Sequence, residues 1–302
     1  MSIPLFDCHC DTIVAASISG ESLRKNSLQL DLERLRRFSP SAQVFAICNQ
    51  FLEDAQSSAD VYIEKLKTEF KSNSDTVKLC LNFADLDEAI AEGKTAAFIS
   101  VEGAEQVSDL DEAYSAGVRI IHPTWNFDNE ICGAAMDSGA GLTEYGREFV
   151  LKAQKLGILL DMSHISDRAF WDVLEIAKKP VIAGHSNSRT LCNHPRNLTD
   201  EQFTALSNLG GGAGINLYPE FLGFSRDIDA IIKHIEHFLS LDGEKSVFLG
   251  CDFDGIEITP DGINGVEDLE KLYNALLRIN YPETLVRDIF FNNIYGIIRR
   301  TL

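Results

Sequence analysis

Residues 157–186 read GILLDMSHISDRAFWDVLEIAKKPVIAGHS. Two short apolar runs, Ile158–Met162 and Val181–Gly184, flank a segment with helical apolar spacing over Asp167–Lys178. Ser166-Asp167 supplies the start signal of that helix, a hydroxyl able to cap the first turn followed by an acidic residue. Strand, helix and strand in succession make a parallel crossover, which brings the ends of both strands to one edge of a sheet. Each of the two strands ends in a histidine, His164 or His185.

The same alternation runs through the chain. Further strand candidates are Leu5–Cys10, Val44–Cys48, Ala96–Val101, Val118–Pro123, Ala213–Leu217 and Val247–Cys251, giving eight in all. Amphipathic segments lie between them at Ala59–Lys71, Glu144–Leu156, Asp200–Leu209 and Asp227–Leu241, with a shorter one at Leu110–Ala116. Thr199-Asp200-Glu201-Gln202 carries the pattern of a capping box. Eight strands alternating with helices favour a closed parallel (β/α)8 barrel of the TIM type, with a doubly wound open sheet as the alternative. Val77–Asn82 reads as an extra strand. No stretch rich in Pro, Gly or Ser divides the chain, so residues 1–302 are expected to form one barrel domain. The tail Leu269–Ile298 reads as two helices broken near Tyr281-Pro282 and packed on that barrel. Gly133–Gly141 reads as a loop over a site, and Gly210-Gly211-Gly212 as a turn, because it precedes a strand where a phosphate-binding loop would follow one.

Composition narrows the function. At 302 residues with 45% apolar content, the chain can bury a substantial core. It carries 27 Lys plus Arg against 46 Asp plus Glu, a formal charge of -19. Such a surface repels phosphate backbones and argues against nucleic acid as a partner. No apolar stretch approaches the roughly 18 residues of a membrane span, and neither a lipid anchor nor an apolar signal segment is evident. The seven cysteines form no C-x-x-C pair, and we expect reduced thiols in a cytoplasmic protein.

In a barrel of this kind the chemistry gathers at the C-terminal ends of the strands. The first strand ends in His9 and Asp11, the third in Ser100-Val101-Glu102-Gly103, the fifth in Asp161-Met162-Ser163-His164, the sixth in Gly184-His185-Ser186, and the eighth in Asp252-Phe253-Asp254-Gly255. Strand alternation places His9 and Asp11 on one face, with Asp7 deeper on the same side, and turns Cys8 and Cys10 outward to the helical layer. Three imidazoles and two carboxylates, His9, Asp11, Glu102, His164 and His185, suit two borderline divalent ions, most simply zinc, with Mn2+ or Co2+ as other occupants. Glu102 can bridge them. Two ions roughly 3.5–4 Å apart lower the pKa of a shared water and polarise a carbonyl, which is hydrolytic chemistry with hydroxide as nucleophile. Asp252 stands as a proton carrier or a further ligand. Asp254 reads as a turn aspartate, and His234 with His237 as an exposed or half-buried surface pair.

Ser100-Val101-Glu102-Gly103, Asp161-Met162-Ser163-His164, Gly184-His185-Ser186, His194-Pro195-Arg196-Asn197 and Asp252-Phe253-Asp254-Gly255 together resemble the membrane (renal) dipeptidase family, the M19 metallopeptidases. The resemblance runs through nearly the whole chain. It implies a distorted barrel of the amidohydrolase type, a binuclear zinc site and hydrolysis of dipeptides, L-Xaa-D-Xaa included. It gives His9 and Asp11 to one zinc, His164 and His185 to the other, and Glu102 to both as bridge. Arg196 matches the arginine that holds the substrate's carboxylate, and Asp252 the proton-transferring aspartate that also meets the amino group. Tyr218 is expected to line the pocket. Trp125 stands where mammalian members place a substrate-facing histidine, with His122 three residues earlier as a core residue. The family also suggests a homodimer. Competing readings are another amidohydrolase-type reaction, on a lactone, cyclic amide or β-lactam, and a non-catalytic metal- or peptide-binding relative.

Overall fold

The computed structural model describes residues 2–48, 59–223 and 225–302. Among the described residues nine strands occur in chain order: β1 (Leu5–Cys10), β2 (Ser41–Cys48), β3 (Val77–Leu79), β4 (Thr95–Glu102), β5 (Val118–His122), β6 (Leu159–Leu160), β7 (Ile182–Ala183), β8 (Gly212–Ile215) and β9 (Val247–Leu249). Every pairing between them is parallel. The order β6-β5-β4-β2-β1-β9-β8-β7 curls until Asp161 and Ile182 form a single parallel bridge, giving a nearly closed eight-stranded barrel with helices outside it. The extra strand expected at Val77–Asn82 exists only as β3. It pairs with Thr95–Ala97, below the point where β5 takes over that edge of β4.

The helices follow their sequence signals closely. Glu144–Leu156 and Leu110–Ala116 occur as read, and Asp167–Ile176 is capped by Ser166 Oγ, which accepts from Ala169 N. Thr199 and Gln202 complete the capping box at Asp200–Asn208. β6 to β9 are shorter than their apolar runs suggest. Glycine explains part of this: a Cβ on Gly214 or Gly250 would collide with the carbonyl oxygen of Gly184, so three neighbouring strands approach closely just above their ladders.

Inside the barrel, Phe6, Cys8, Val44, Phe98, Ile120, Leu159, Ile182 and Phe248 form one apolar layer, and Phe291, Ile294 and Ile298 of the C-terminal segment close it from below. Phe6 stacks on Phe98 with ring centroids 5.9 Å apart. The remaining apolar residues of the strands, Leu5, Cys10, Phe45, Ile99 and Ile121 among them, pack outward against the helices. This partition corrects the expected faces of the first strand. Cys8 lies in the interior layer and Cys10 in the outer one. The pairing of β1 with β2 shifts register between Asp7 and Cys10, and such a bulge lets two successive side chains, Cys8 and His9, share the interior. Asp7 then falls on the outward side between Phe6 and Cys8, where Gln43 Nε2 (3.0 Å) and Cys251 N (2.7 Å) donate to its carboxylate.

One other expectation, the surface histidine pair, is revised, whereas Asp254 occupies the turn expected of it. His234 is buried, not at the surface: its Nδ1 accepts from Ser188 N at 3.1 Å. Only His237 is partly exposed, and it pairs with Asp200. Asp254 has a structural part, accepting from Gln29 N (2.7 Å) and Thr12 Oγ1 (2.5 Å). Because Gly250 abuts backbone and not a movable side chain, Gly250→Ala should lower stability by about 2–3 kcal/mol or more. Thermal melts compared with Gly296→Ala, whose Cβ would meet only the movable end of Arg300, isolate this steric effect.

Candidate metal centre

In β4, β5 and β6 the period-two alternation carries a polar residue past the apolar layer into the barrel mouth. β4 runs Ala96, Phe98, Ser100, Glu102 on its inner side, β5 ends in His122, and β6 is followed by Asp161. His9 and Asp11 arrive from β1, His164 and His185 from the loops after β6 and β7, and Asp252 from the loop after β9. His9, Asp11, Glu102, His122, His164, His185 and Arg196 are all buried.

Glu102 joins two groups of donors. Its Oε1 lies 2.7 Å from His164 Nε2 and 3.3 Å from His185 Nε2, which are themselves 3.0 Å apart. Its Oε2 lies 3.7 Å from His9 Nε2, and that nitrogen is 3.3 Å from Asp11 Oδ2 and 3.8 Å from Asp252 Oδ1. Ligands at about 2.0–2.1 Å from a common ion are spaced at such distances. The chain also leaves buried lone pairs and N–H groups without partners: both nitrogens of His9, Oδ1 of Asp11 and Nδ1 of His185. Buried polar atoms without partners are expensive. Here they converge, and His9, Glu102 and His185 as well as His9, Asp11 and Asp252 are close enough to share a metal ion. The residues present therefore fit a metal centre.

Outer contacts orient these groups. Asn126 Oδ1 stands 2.9 Å from His164 Nδ1, so that nitrogen carries the proton and Nε2 turns its lone pair to the centre. Arg196 Nη2 donates to the same Nε2 at 3.0 Å, which places the guanidinium at the wall of the site. Asn216 Nδ2 donates to Asp252 Oδ2 at 2.9 Å. Asp252 itself adopts a left-handed conformation (φ 63°), a strain that non-glycine residues accept mainly at functional positions. Gly255 completes the turn; a Cβ there would collide with the carboxylates of both Asp11 and Asp252.

The crowding is electrostatic as well as steric. Burial, together with Asp11 and Glu102, pushes Asp252 up to about 7, and burial raises Asp11 to about 6. Burial alone would lower His9, but Glu102, Asp11 and Asp252 outweigh it and hold the imidazole at about 10. Burial, reinforced by Arg196, drives His164 down to about 3. Carboxylates forced to keep protons, beside an imidazole forced to take one, mark a place short of positive charge.

A cleft of about 430 Å³ opens over the centre, lined by Asp11, Glu102, Trp125, Arg196, Tyr218 and Asp252 among others. Asp11, Glu102, Trp125, His164, His185, Arg196, Tyr218 and Asp252 thus line one cleft, with His9 beside Asp11 and Glu102. Trp125 is half-buried, its ring centroid 6.1 Å from that of His164, and Tyr218 packs edge-on against Phe221. Asn126, Asn216, His122 and Asp161 were not assigned to it from sequence. His122 is no ordinary core residue: it sits 3.9 Å from Glu102 Oε1 and 3.5 Å from Asp161 Oδ2. His122 follows Ile120 on the inner side of β5, and only the register of β5 on β4 sets it level with Glu102.

Residues 1–301 match the family model for membrane dipeptidase, peptidase family M19. The chain belongs to this family. As an M19 member it is a metallopeptidase and a hydrolase. A Klebsiella pneumoniae protein, uncharacterised and encoded in the 5′ region of pqqA, is 34% identical over 251 residues, covering 78% of this chain and 92% of its own. The metallopeptidase of Rhodobacter sphaeroides, solved with a phosphinate mimic of the dipeptide L-Ala-D-Ala, is 26% identical with a TM-score of 0.89, and all of both chains superpose. Dipeptidase AC, also of M19, is 28% identical with a TM-score of 0.89, covering 100% of this chain and 99% of its own.

The charges of this M19 centre make stability depend on pH in a defined direction. His9 is raised from 6.5 to about 10, so its stabilising charge is fully present below pH 6.5 and lost as pH rises through 10. Asp252, raised to about 7, adds a loss in the same direction near neutrality. Chelator-treated protein should therefore melt at a lower temperature at pH 9 than at pH 7. A divalent cation, replacing those protons, should restore more stability at the higher pH, as differential scanning fluorimetry with and without added zinc would register.

Proposed function

We propose that the chain is a binuclear zinc dipeptidase acting on small dipeptides, those with a D-residue at the C-terminal position included. The observation that carries this reading is Glu102, whose two oxygens face two donor sets beneath one open cleft. His9 and Asp11 would hold one ion, His164 and His185 the other, and Glu102 both. Mn2+ or Co2+ suits the same donors. A pair of divalent ions held there would supply an activated water and polarise the scissile carbonyl.

The chain's own groups do the rest. Asp252, poised near neutrality and steadied by Asn216, takes the proton from the attacking water and passes it to the departing nitrogen, so that one amide and one water become one carboxylate and one amine. Its carboxylate also offers an anionic partner to the free amino group. Arg196, buried in the wall of the cleft, presents a planar fork to the substrate's terminal carboxylate. A cleft that meets both termini with charge selects dipeptides, because a longer peptide would leave an uncharged amide against a buried ionic group. Trp125 and Tyr218 form apolar walls for the side chains. The R. sphaeroides neighbour's dipeptide mimic supports a D-residue in the C-terminal place. Among the described residues no lysine lines the cleft, which disfavours the amidohydrolase reactions built on a carboxylated lysine bridge.

Zinc-loaded protein should release free amino acids from L-Ala-D-Ala or L-Ala-L-Ala and leave the N-acetylated dipeptides intact, as quantitative amino-acid analysis would record. Metal-loaded protein inert toward a broad dipeptide panel sinks the proposal. Asp252→Asn should lower kcat by about 10²–10⁴-fold while its metal content stays at the wild-type level.

A further inference from the structure

Glu102, His122 and Asp161 stand side by side at one level of the barrel mouth. Glu102 is in register with His122 across β4 and β5, and the pairing of Ile121 with Leu160 sets His122 level with Asp161. The ligand set proposed above leaves His122 without a task, yet neither of its buried ring nitrogens has a hydrogen-bond partner.

Asp161 accounts for one of them. Its Oδ1 accepts from Ser163 N (3.0 Å), Ser163 Oγ (2.5 Å) and Gly184 N (2.8 Å). Its Oδ2 accepts from nothing and is packed where a Cβ of Gly184 would otherwise stand. His122 Nε2 lies 3.5 Å from that oxygen. A proton on Nε2 gives the carboxylate its missing donor, whereas a lone pair there would set two acceptors against each other in a dry interior. A neutral ring protonated on Nε2 carries its lone pair on Nδ1. Nδ1 faces Glu102 Oε1 at 3.9 Å, the same oxygen that His164 and His185 approach.

We infer that His122 is a further ligand of the centre, reaching through Nδ1 the ion on the His164–His185 side, while Asp161 holds its ring in the Nε2–H form. The inference rests on the two-ion reading of the site. Two donors 3.9 Å apart and each about 2.0–2.1 Å from one ion subtend an angle wider than tetrahedral, as in a site with more than four ligands. A third neutral imidazole raises the affinity on that side without adding charge to an already crowded cluster. Asp161 acts through His122 as a positioning residue.

Cobalt titration tests this. Wild type, His122→Ala and Asp161→Asn, each checked for native far-UV circular dichroism, are titrated with Co2+ while bound equivalents and the visible ligand-field absorption are recorded. Wild type should bind two equivalents. In His122→Ala one equivalent should weaken by about 10–100-fold, with a changed visible spectrum, and the other should stay. In Asp161→Asn an amide N–H can face the ring and move its proton to Nδ1, so the same equivalent should weaken. Wild-type affinity and spectrum in both variants overturn the inference and leave the two-ion reading standing. Should His122→Ala fail to fold, Asp161→Asn with wild-type affinity and spectrum overturns it alone. A wild-type protein that binds no cobalt removes the two-ion reading and this inference together.

Discussion

Glu102 is a carboxylate buried at the end of the longest internal ladder of the barrel, and its two oxygens look in different directions. A lone ionised carboxylate in that place would be costly, and burial by itself pushes it toward protonation. His9 and His164 turn the balance and hold it well below the ordinary range. The rest of the centre follows from satisfying this one group. Imidazoles come from three other strand ends, Asn126 turns one of them, and Arg196 stands behind it. Glu102 touches both donor sets, whose His9 and His185 rings pack with centroids 4.0 Å apart.

Such a site is held together by the layer beneath it. The aromatic and branched residues inside the barrel, from Phe6 to Phe248, carry no chemistry, but they fix the level at which each strand delivers its polar residue. The mouth then bears strain that a surface loop would relax: a left-handed Asp252, unpartnered nitrogens on His9, and carboxylates raised toward neutrality. These penalties belong to the same few residues, and a divalent cation offsets most of them at once. Gly184, Gly250 and Gly255 contribute by absence, each leaving room that any side chain would take from a carboxylate or a carbonyl.

The bulge in β1 shows how one irregularity decides chemistry. In a regular strand, Cys8 and Cys10 would share a face and leave His9 and Asp11 on the other. The register shift turns Cys8 inward into the apolar layer and still leaves His9 free to enter the mouth. Asp7 is thereby moved to the outer side, where it fastens β1 to β2 and to the start of the β9 loop through Gln43 and Cys251. A carboxylate adjacent in sequence to the site is thus structural, whereas Asp161 and His122, distant in sequence, belong to its surroundings.

The sequence by itself determined the alternation of strands and helices, the barrel class, and the recurrence of Glu102, His164, His185 and Asp252 at strand ends, while Arg196 stood out only through the family resemblance. Periodicity and capping are local, and polar residues that recur at strand ends remain visible without any coordinates. Only the tertiary structure decided which strands pair at which level, because a ladder's register depends on side chains from neighbouring strands far away in the chain. That register placed His122 beside Glu102 and Asp161, turned Cys8 inward, and brought Asn126 and Asn216 to the groups they orient. These contacts join residues from different strand ends, and no spacing along a single strand can encode them.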